Sequence, residues 1–319
     1  MAHQHHLHGR TRSGRSLLVA AMLNVFITAA EVVGGLLSGS LALISDALHN
    51  FSDAAGLVVA WASNRVAGRP ADPKRTFGYR RAEIVGALVN AVFLLSVAVF
   101  LAESAVRRLF QPEPVSTGLM IPVAVFCLAG NVASAFLLAF GTDRTLNVKA
   151  ALAHIISDSF SSVAVIIAAL VIRWTGWLWI DPILALLIAV YASVQAVILL
   201  KDTVHILMQG APKGLDQATL MRDLARVKGV TGIHHVHLWS LDEHETFFEA
   251  HVAVGKKDLG KIESIKGAVK LLLRQRYGIS HSTLEFESSK RPGCEECLPD
   301  HPELGKVAVT GKADASRRS

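Results

Sequence analysis

Residues 40–63, SLALISDALHNFSDAAGLVVAWAS, decide how the fold is interpreted, because this stretch is long and apolar and yet contains ionisable groups. It has the length of a helix that crosses a bilayer, about 20 residues. His49 and Asp53 are four positions apart, so both side chains lie on one face of such a helix. Ionisable groups at membrane depth cost roughly 3 kcal/mol or more each, and by default they mark an ion path.

A second apolar stretch repeats this spacing, with His154 and Asp158. Two helices can therefore bring two imidazoles and two carboxylates to one point. Such a set suits a borderline divalent cation in tetrahedral coordination, of which Zn²⁺ is the usual example. The alternative is that these groups only hydrogen-bond between neighbouring helices.

Composition indicates a membrane protein. Of 319 residues, 51% are hydrophobic and only 18% are charged, which is too apolar for an ordinary soluble protein of this length. Six runs are long enough to cross a bilayer as helices. They are residues 17–37, 40–63, 84–106, 119–140, 148–172 and 178–200.

Basic residues near the ends of these spans predict the topology. On the side of the membrane that holds both termini, the basic residues near span ends are Arg10, Arg12, Arg15, Arg65, Arg69, Lys74, Arg75, Arg80, Arg81, Arg144, Lys149 and Lys201. On the opposite side they are only Arg107, Arg108 and Arg173. Both termini are therefore predicted to be cytoplasmic. The uneven charge is explained by topology, and we expect no nucleic-acid partner.

After Lys201 the composition becomes that of a soluble α+β domain. The pattern predicts helix 215–227, strands 230–241 and 246–254, helix 259–277 and strand 282–287. This α-β-β-α-β order is that of a small ferredoxin-like, two-layer domain. The expected organisation is a His-rich cytoplasmic tail, a six-helix transmembrane domain, the cytoplasmic domain and a largely disordered tail, at residues 1–16, 17–200, 201–290 and 291–319.

Asp46 lies one helical turn before His49. Asp46 either contacts His49 and fixes the orientation of its ring for metal binding, or it is simply a buried polar residue with a hydrogen-bond partner. The sequence leaves both interpretations open.

Several motifs together resemble one known family, the cation diffusion facilitators, and within it the zinc-transporting members. They are SGSLALISDALHNFSD at 38–53, FGYRRAEIVGALVN at 77–90, HIISDSFSSVAVI at 154–166, Asp181-Pro182, and GVTGIHHVHLWSL at 229–241. The resemblance covers almost the whole chain, and the recurrence of His-x-x-x-Asp in spans two and five makes it specific.

The resemblance implies that His49, Asp53, His154 and Asp158 form a transport site. It further implies a homodimer, in a bacterial inner membrane, that exports cytoplasmic Zn²⁺ in exchange for protons. Cd²⁺ and Co²⁺ are alternative substrates, and histidine rather than aspartate at position 49 favours zinc. A membrane zinc metalloenzyme and a metal sensor without transport activity are the alternatives. The chain has no H-E-x-x-H motif, so we do not expect an enzyme.

In the cytoplasmic domain, the resemblance matches His234, His251 and Glu287 to positions that bind regulatory zinc in related domains. The alternative is that the two histidines are ordinary strand residues. His235 stands where an aspartate is common. Strand alternation leads us to expect His235 on the face opposite His234 and His237.

Cys294 and Cys297 form a C-x-x-C pair, which is half of a zinc site. The missing ligands are sought in the His-rich amino terminus, at His5, His6 and His8. In some vesicular members of the family, the amino-terminal arm of the partner subunit completes such a site. The alternative is a flexible tail with two surface thiols.

The segment between spans two and three, GRPADPKRTFGYRRAE at 68–83, contains Asp72. It has Arg75 and Tyr79 where some members of the family place histidines for an additional metal. Neither side chain is a usual zinc ligand, and we therefore expect no metal at this segment.

Overall fold

A computed structural model describes residues 7–140, 146–288 and 307–308 of the chain. The chain divides into two compact units. The first contains Met1–Ser63 and Gly86–Lys201, and the second contains Asn64–Val85 and Asp202–Ser319. The division after Lys201 coincides with the change in composition.

Six long helices dominate the first unit, as predicted. They are α1 Leu7–Ser38, α2 Leu41–Ala67, α3 Ala82–Phe110, α4 Thr117–Ala139, α5 Leu146–Thr175 and α6 Ile180–Leu207. Most of them begin earlier or end later than the apolar runs do, because polar residues at a helix end form the same backbone hydrogen bonds as apolar ones.

Four of these helices contain segments that are long and apolar enough to cross a membrane. These segments are Ala82–Phe110, Thr117–Ala139, Ala151–Thr175 and Ile180–Leu207. The apolar part of α1 is shorter, at Met22–Ser38. Helix α2 is less apolar because it contains ionisable side chains, among them His49 and Asp53. Its polar face therefore has to turn toward other helices rather than toward lipid.

Small residues hold the helices of the first unit together. Ala185 and Ala189 of α6 are fully buried in a cluster with residues of α2 and α3. Gly34 of α1 lies so close to Val123 of α4 that a Cβ would stand 2.6 Å from it. Close backbone approach at small residues is the usual way in which helices pack in membranes.

A residue of α6 caps the amino terminus of α2. The buried carboxylate of Asp181 accepts hydrogen bonds from the Ser40 hydroxyl at 2.5 Å and from the backbone N–H groups of Leu41 and Ala42 at 2.7 and 3.2 Å. The first N–H groups of a helix have no hydrogen-bond partner within that helix. A carboxylate at this place accepts their hydrogen bonds, and its negative charge interacts favourably with the helix dipole.

The second unit contains α7 Gln217–Ala225, β1 Val230–Ser240, β2 Thr246–Val254, a short 3-10 helix Lys256–Lys261, α8 Ile262–Tyr277 and β3 His281–Ser288. The sheet order is β3-β2-β1-β4, where β4 is Val307–Ala308. Strands β1 and β2 are antiparallel, and β2 and β3 are parallel. The predicted α-β-β-α-β order is confirmed, while the short β4 lies in the tail and was not predicted.

Local sequence signals fix the amino-terminal end of α7 and the carboxyl-terminal end of α8. Asp216 caps α7, where its side chain accepts the N–H of Ala218 at 3.1 Å. Hydrogen bonds from the Thr219 hydroxyl and from the backbone lower the pKa of this exposed carboxyl. Gly278 ends α8 in the left-handed conformation with φ of +67°, which glycine adopts without a steric penalty.

Residues 64–85, which comprise the end of α2, the connection and the start of α3, belong to the second unit. The ring of Phe77 contacts that of Phe247 edge-on, with centroids 5.3 Å apart, and Arg80 pairs with Glu245 at 2.5 Å. Composition alone placed the boundary only at residue 201. It did not reveal this grouping because the contacts join residues that are far apart in sequence.

The candidate metal centre is on two facing helices

Helices α2 and α5 bring both His-x-x-x-Asp pairs together. One carboxylate oxygen of Asp53, Oδ2, lies 3.7 Å from Nε2 of His49 and 3.6 Å from Nε2 of His154. Nε2 of His154 is also 3.5 Å from Oδ2 of Asp158. The four side chains thus form a continuous series of contacts, in which Asp53 joins the histidines of the two helices.

The four groups differ in burial. The Asp158 side chain is only 4% exposed, whereas that of His154 is 38% exposed. Among the described residues, Oδ2 of Asp158 and Nδ1 of His49 have no hydrogen-bond partner. A buried carboxylate oxygen without such a partner is costly unless a cation compensates it. The donor set therefore fits a divalent cation.

The spacing is looser than that of a closed metal cage. Across the described part of the chain, the four residues do not form a group of three or more ligand atoms that all lie within 4.8 Å of one another. The side chains would have to converge by small rotations around an ion. All four lie on helices, so such rotations need no change of the backbone.

Neighbouring polar groups support the two helices. Ser161 of α5 donates a hydrogen bond to Oδ1 of Asp46 at 2.6 Å, and Asp46 is almost completely buried. Asp46 does not bond to Nδ1 of His49, because that nitrogen has no hydrogen-bond partner among the described residues. The geometry thus gives Asp46 a partner on α5 rather than an orienting contact with His49.

Two neighbours of the centre were missed by the sequence analysis. The ring of Tyr191 on α6 meets that of His49 edge-on, with centroids 6.1 Å apart. Ser161 lies three positions after Asp158, so helical spacing could have indicated it. A single tyrosine in an apolar run gives no comparable signal.

A second group of ligands lies on the sheet of the second unit. His234 of β1 is directly opposite His251 of β2, and Glu287 is on β3. Oε1 of Glu287 is 2.7 Å from Nδ1 of His251 and 3.2 Å from Nε2 of His234. Ligand atoms of all three residues lie within 4.8 Å of one another. Two imidazoles and a carboxylate at this spacing fit a zinc ion.

The expectation for His235 was wrong. Its ring lies 4.6 Å from that of His251 and 4.7 Å from that of His237, measured between centroids. Strict alternation by itself pairs position 235 with 237 and separates both from 234. An irregularity in the β1–β2 register between His234 and His237 brings the rings into one cluster.

The remaining predicted ligands cannot be placed. Cys294, Cys297, His5 and His6 lie outside the residues that the structure describes, and for His8 only the backbone is described, as part of α1.

Asp72 occupies the segment where no metal was expected. It accepts the Tyr79 hydroxyl at 2.7 Å and the backbone N–H groups of Lys74 and Arg75. The hydrogen bond from Tyr79 is the main cause of a lowered pKa for the Asp72 carboxyl. The carboxylate is thus engaged in holding a turn.

Two family models match the chain. The model of the cation efflux transmembrane domain matches residues 17–208. The model of the cytoplasmic domain of cation efflux proteins, whose family name contains the word dimer, matches residues 212–289. The chain belongs to the cation efflux family. A cation efflux protein is a transporter and not an enzyme, so the metalloenzyme alternative is set aside.

Relatives from several bacteria agree with this assignment. The cation efflux chain is 38% identical to the metal cation efflux system protein CzcD of Cupriavidus metallidurans over 273 residues, 86% of each chain. It is 38% identical to the zinc transporter ZitB of Escherichia coli, covering 90% of this chain and 93% of the relative. It is 31% identical to the cadmium, cobalt and zinc/H(+)-K(+) antiporter of Bacillus subtilis, covering 89% and 92%.

Proposed function

We propose that this cation efflux protein exports Zn²⁺ from the cytoplasm in exchange for protons, through His49, Asp53, His154 and Asp158. The observation that carries the proposal is the position of Asp53 Oδ2, within 3.7 Å of one histidine on its own helix and of another on α5. Two helices that share a ligand can open or close a path when they move relative to each other.

The choice of zinc rests on the donor atoms. Imidazole nitrogens suit Zn²⁺ better than they suit Mn²⁺ or Mg²⁺, which prefer oxygen ligands. We expect Cd²⁺ and Co²⁺ to be further substrates, because the same donor atoms can bind them. The names of the relatives include zinc, cadmium and cobalt.

Proton exchange follows from competition for the same atoms. A histidine binds metal only when the coordinating nitrogen is deprotonated, so zinc release on the acidic side is favoured by protonation. We assign the coupling proton to His49 or His154, because an imidazole nitrogen binds either a metal ion or a proton and cannot hold both. An inward proton gradient would then drive zinc outward.

The wider setting completes the proposal. The protein works as a homodimer in a bacterial inner membrane with both termini in the cytoplasm, so that His234, His251 and Glu287 sense cytoplasmic zinc and regulate export. The match of residues 212–289 to a cytoplasmic-domain family whose name contains the word dimer supports the homodimer. Cys294 and Cys297 with His5, His6 and His8 remain candidates for a further zinc site between subunits.

A reconstituted system tests exchange directly. Purified protein is placed in liposomes with a zinc-sensitive dye and an acidic interior, so that outward movement of protons can drive zinc uptake. We expect uptake that stops when an ionophore removes the pH difference, in the same vesicles. Equal uptake without the pH difference would contradict proton exchange. No uptake in any condition would instead favour a metal sensor without transport activity.

A further inference from the structure

A carboxyl group of α1 is buried inside the helix bundle and takes no part in the candidate metal centre. Glu31 is fully buried, and its Oε2 accepts a hydrogen bond from Nδ2 of Asn50 on α2 at 2.9 Å. An ionised carboxylate in such surroundings is very costly unless a cation or several donors compensate its charge. The protonation of Glu31 is therefore set by the groups that surround it.

The groups around Glu31 include no cation. Among the described residues, those that contact its carboxyl group or act on it electrostatically belong to three helices. They are Asn50 and Asp46 on α2, Cys127 on α4 and Asp158 on α5. An amide and a thiol supply no positive charge, and a thiol is only a weak donor. Like charges that share a buried site cannot all be ionised, so at least one of the three carboxyl groups keeps a proton.

Two atoms without partners indicate which group holds this proton. Oε1 of Glu31 and Oδ1 of Asn50 are both buried and have no hydrogen-bond partner in the described part of the chain. They belong to the same two groups that the bond between Oε2 and Nδ2 already joins. A protonated carboxyl group has one O–H donor, and an amide oxygen is an acceptor. A proton on Oε1 can therefore be donated to Oδ1, which satisfies both atoms at once.

Asp46 is the competing position for the proton. It is almost completely buried, and its Oδ1 accepts a hydrogen bond from the Ser161 hydroxyl at 2.6 Å. Neither of its oxygens is among the described buried atoms that lack a hydrogen-bond partner. A hydroxyl can donate to an ionised carboxylate, whereas Oδ1 of Asn50 can be satisfied only by a donor such as the O–H of a protonated Glu31. The hydrogen bonds therefore favour Glu31.

We propose that Glu31 holds a proton in the zinc-free protein, shared with the amide of Asn50, and that zinc binding at the centre on α2 and α5 releases it. The release step rests on the proposed function. A Zn²⁺ ion bound to Asp158 brings positive charge toward a carboxyl group on which Asp158 already acts, and this charge favours the ionised form of Glu31. The O–H bond of Glu31 then breaks, its electron pair stays on the carboxylate, and the proton passes to water.

The number of protons released on zinc binding tests the release step. Full-length protein in detergent is titrated with zinc in weakly buffered solution with a pH-indicator dye, and bound zinc is counted in parallel. Glu31→Gln offers Asn50 the same pair of hydrogen bonds as the protonated acid does. We expect it to bind as much zinc as the wild type and to release about one proton fewer per chain. Glu103→Gln, at an exposed carboxylate of α3, should release as many protons as the wild type.

Infrared spectra of the zinc-free proteins test the protonation of Glu31 without zinc or transport. A carboxylic acid and a carboxylate absorb at different frequencies. The wild-type spectrum should therefore contain a carboxylic-acid band that is absent from Glu31→Gln and that disappears from the wild type when zinc is added. Glu103→Gln should retain this band.

The possible outcomes separate the two proposals. An acid band that is lost in Asp46→Asn but kept in Glu31→Gln would place the proton on Asp46 and contradict the assignment to Glu31. Equal proton release from the wild type and Glu31→Gln would overturn the release step. Failure of the proposed transport site has a different signature, because the wild type would then bind no zinc at the centre while the acid band of Glu31 remained.

Discussion

Asp181 and Ser40 are joined by a hydrogen bond of 2.5 Å, although they are 141 positions apart. The same carboxylate accepts the N–H of Leu41, the first residue of α2. Arg108 of α3 lies 3.9 Å from this carboxylate and donates to the carbonyl of Gly39 at 2.6 Å. Two helices, α3 and α6, therefore fix the start of α2, about two helical turns before His49.

Removal of the cap should destabilise the bundle. Asp181→Ala leaves the hydroxyl of Ser40 and the N–H of Leu41 without their acceptor in a buried place. We expect a loss of about 2 kcal/mol or more in the free energy of unfolding, measured by thermal unfolding in detergent. Asp181→Asn keeps an acceptor oxygen and should lose less. Equal stability of Asp181→Ala and wild type would contradict the assigned role.

The pattern of apolar runs predicted six helices and the α-β-β-α-β domain because each element contains its own periodic signal. The Asp181 cap could not be derived in this way. Asp181-Pro182 was visible as a motif, but its partners lie at the start of another helix, and only the packing of α2 against α6 shows them. The grouping of residues 64–85 with the second unit was missed for the same reason.

The identity of residue 49 should set metal selectivity. His49→Asp replaces an imidazole by a carboxylate, which suits harder cations such as Mn²⁺. We expect the preference for zinc over manganese to fall at least tenfold, or about 1.4 kcal/mol, in competition flux through proteoliposomes. His244→Asp, the same change in the β1–β2 turn, should leave the preference unaltered. Unchanged selectivity in His49→Asp would mean that position 49 does not contact the substrate.

Two glutamates of β3 should differ in their importance for cytoplasmic zinc. The Glu287 side chain is 18% exposed and contacts both His234 and His251, while that of Glu285 is 68% exposed and lies 3.6 Å from His251. We expect Glu287→Gln to weaken zinc binding to this site at least tenfold in calorimetric titration of the full chain. Glu285→Gln, the matched change on the same strand, should have a smaller effect. An equal loss in both variants would contradict this ligand assignment.

The cap of α7 should make stability depend on pH. The pKa of Asp216 is lowered by the Thr219 hydrogen bond, so its folded value lies below the ordinary value of about 3.9. The stabilisation is therefore complete above that pH and is lost as the pH falls through the folded pKa.

Asp216→Asn separates the charge from the cap, because asparagine caps a helix without titrating. Its unfolding temperature should fall less than that of the wild type as the pH drops below about 4. Asp216→Ala removes both charge and cap, and should be less stable at neutral pH. Identical pH profiles for the wild type and Asp216→Asn would contradict a folded-state shift at this carboxyl.

The candidate centre shows both the strength and the limit of sequence reasoning. Helical spacing alone put His49 with Asp53 and His154 with Asp158, since four positions make one turn. It could not show that Asp53, rather than another ligand, joins the two helices. In the sheet, period-two alternation pairs position 235 with 237 and separates both from 234. It could not show the bulge that brings the ring of His235 to that of His251.

Zinc uptake by Asp53→Ala is the most direct test of the central claim. Asp53 joins both histidines, so its removal should reduce uptake into proteoliposomes to that of protein-free vesicles. Glu103→Ala is the matched control, because the Glu103 carboxylate pairs with Arg107 at 2.6 Å on an exposed part of α3 and should support wild-type uptake. If folded Asp53→Ala protein transports zinc at the wild-type rate, the ions do not pass through this centre.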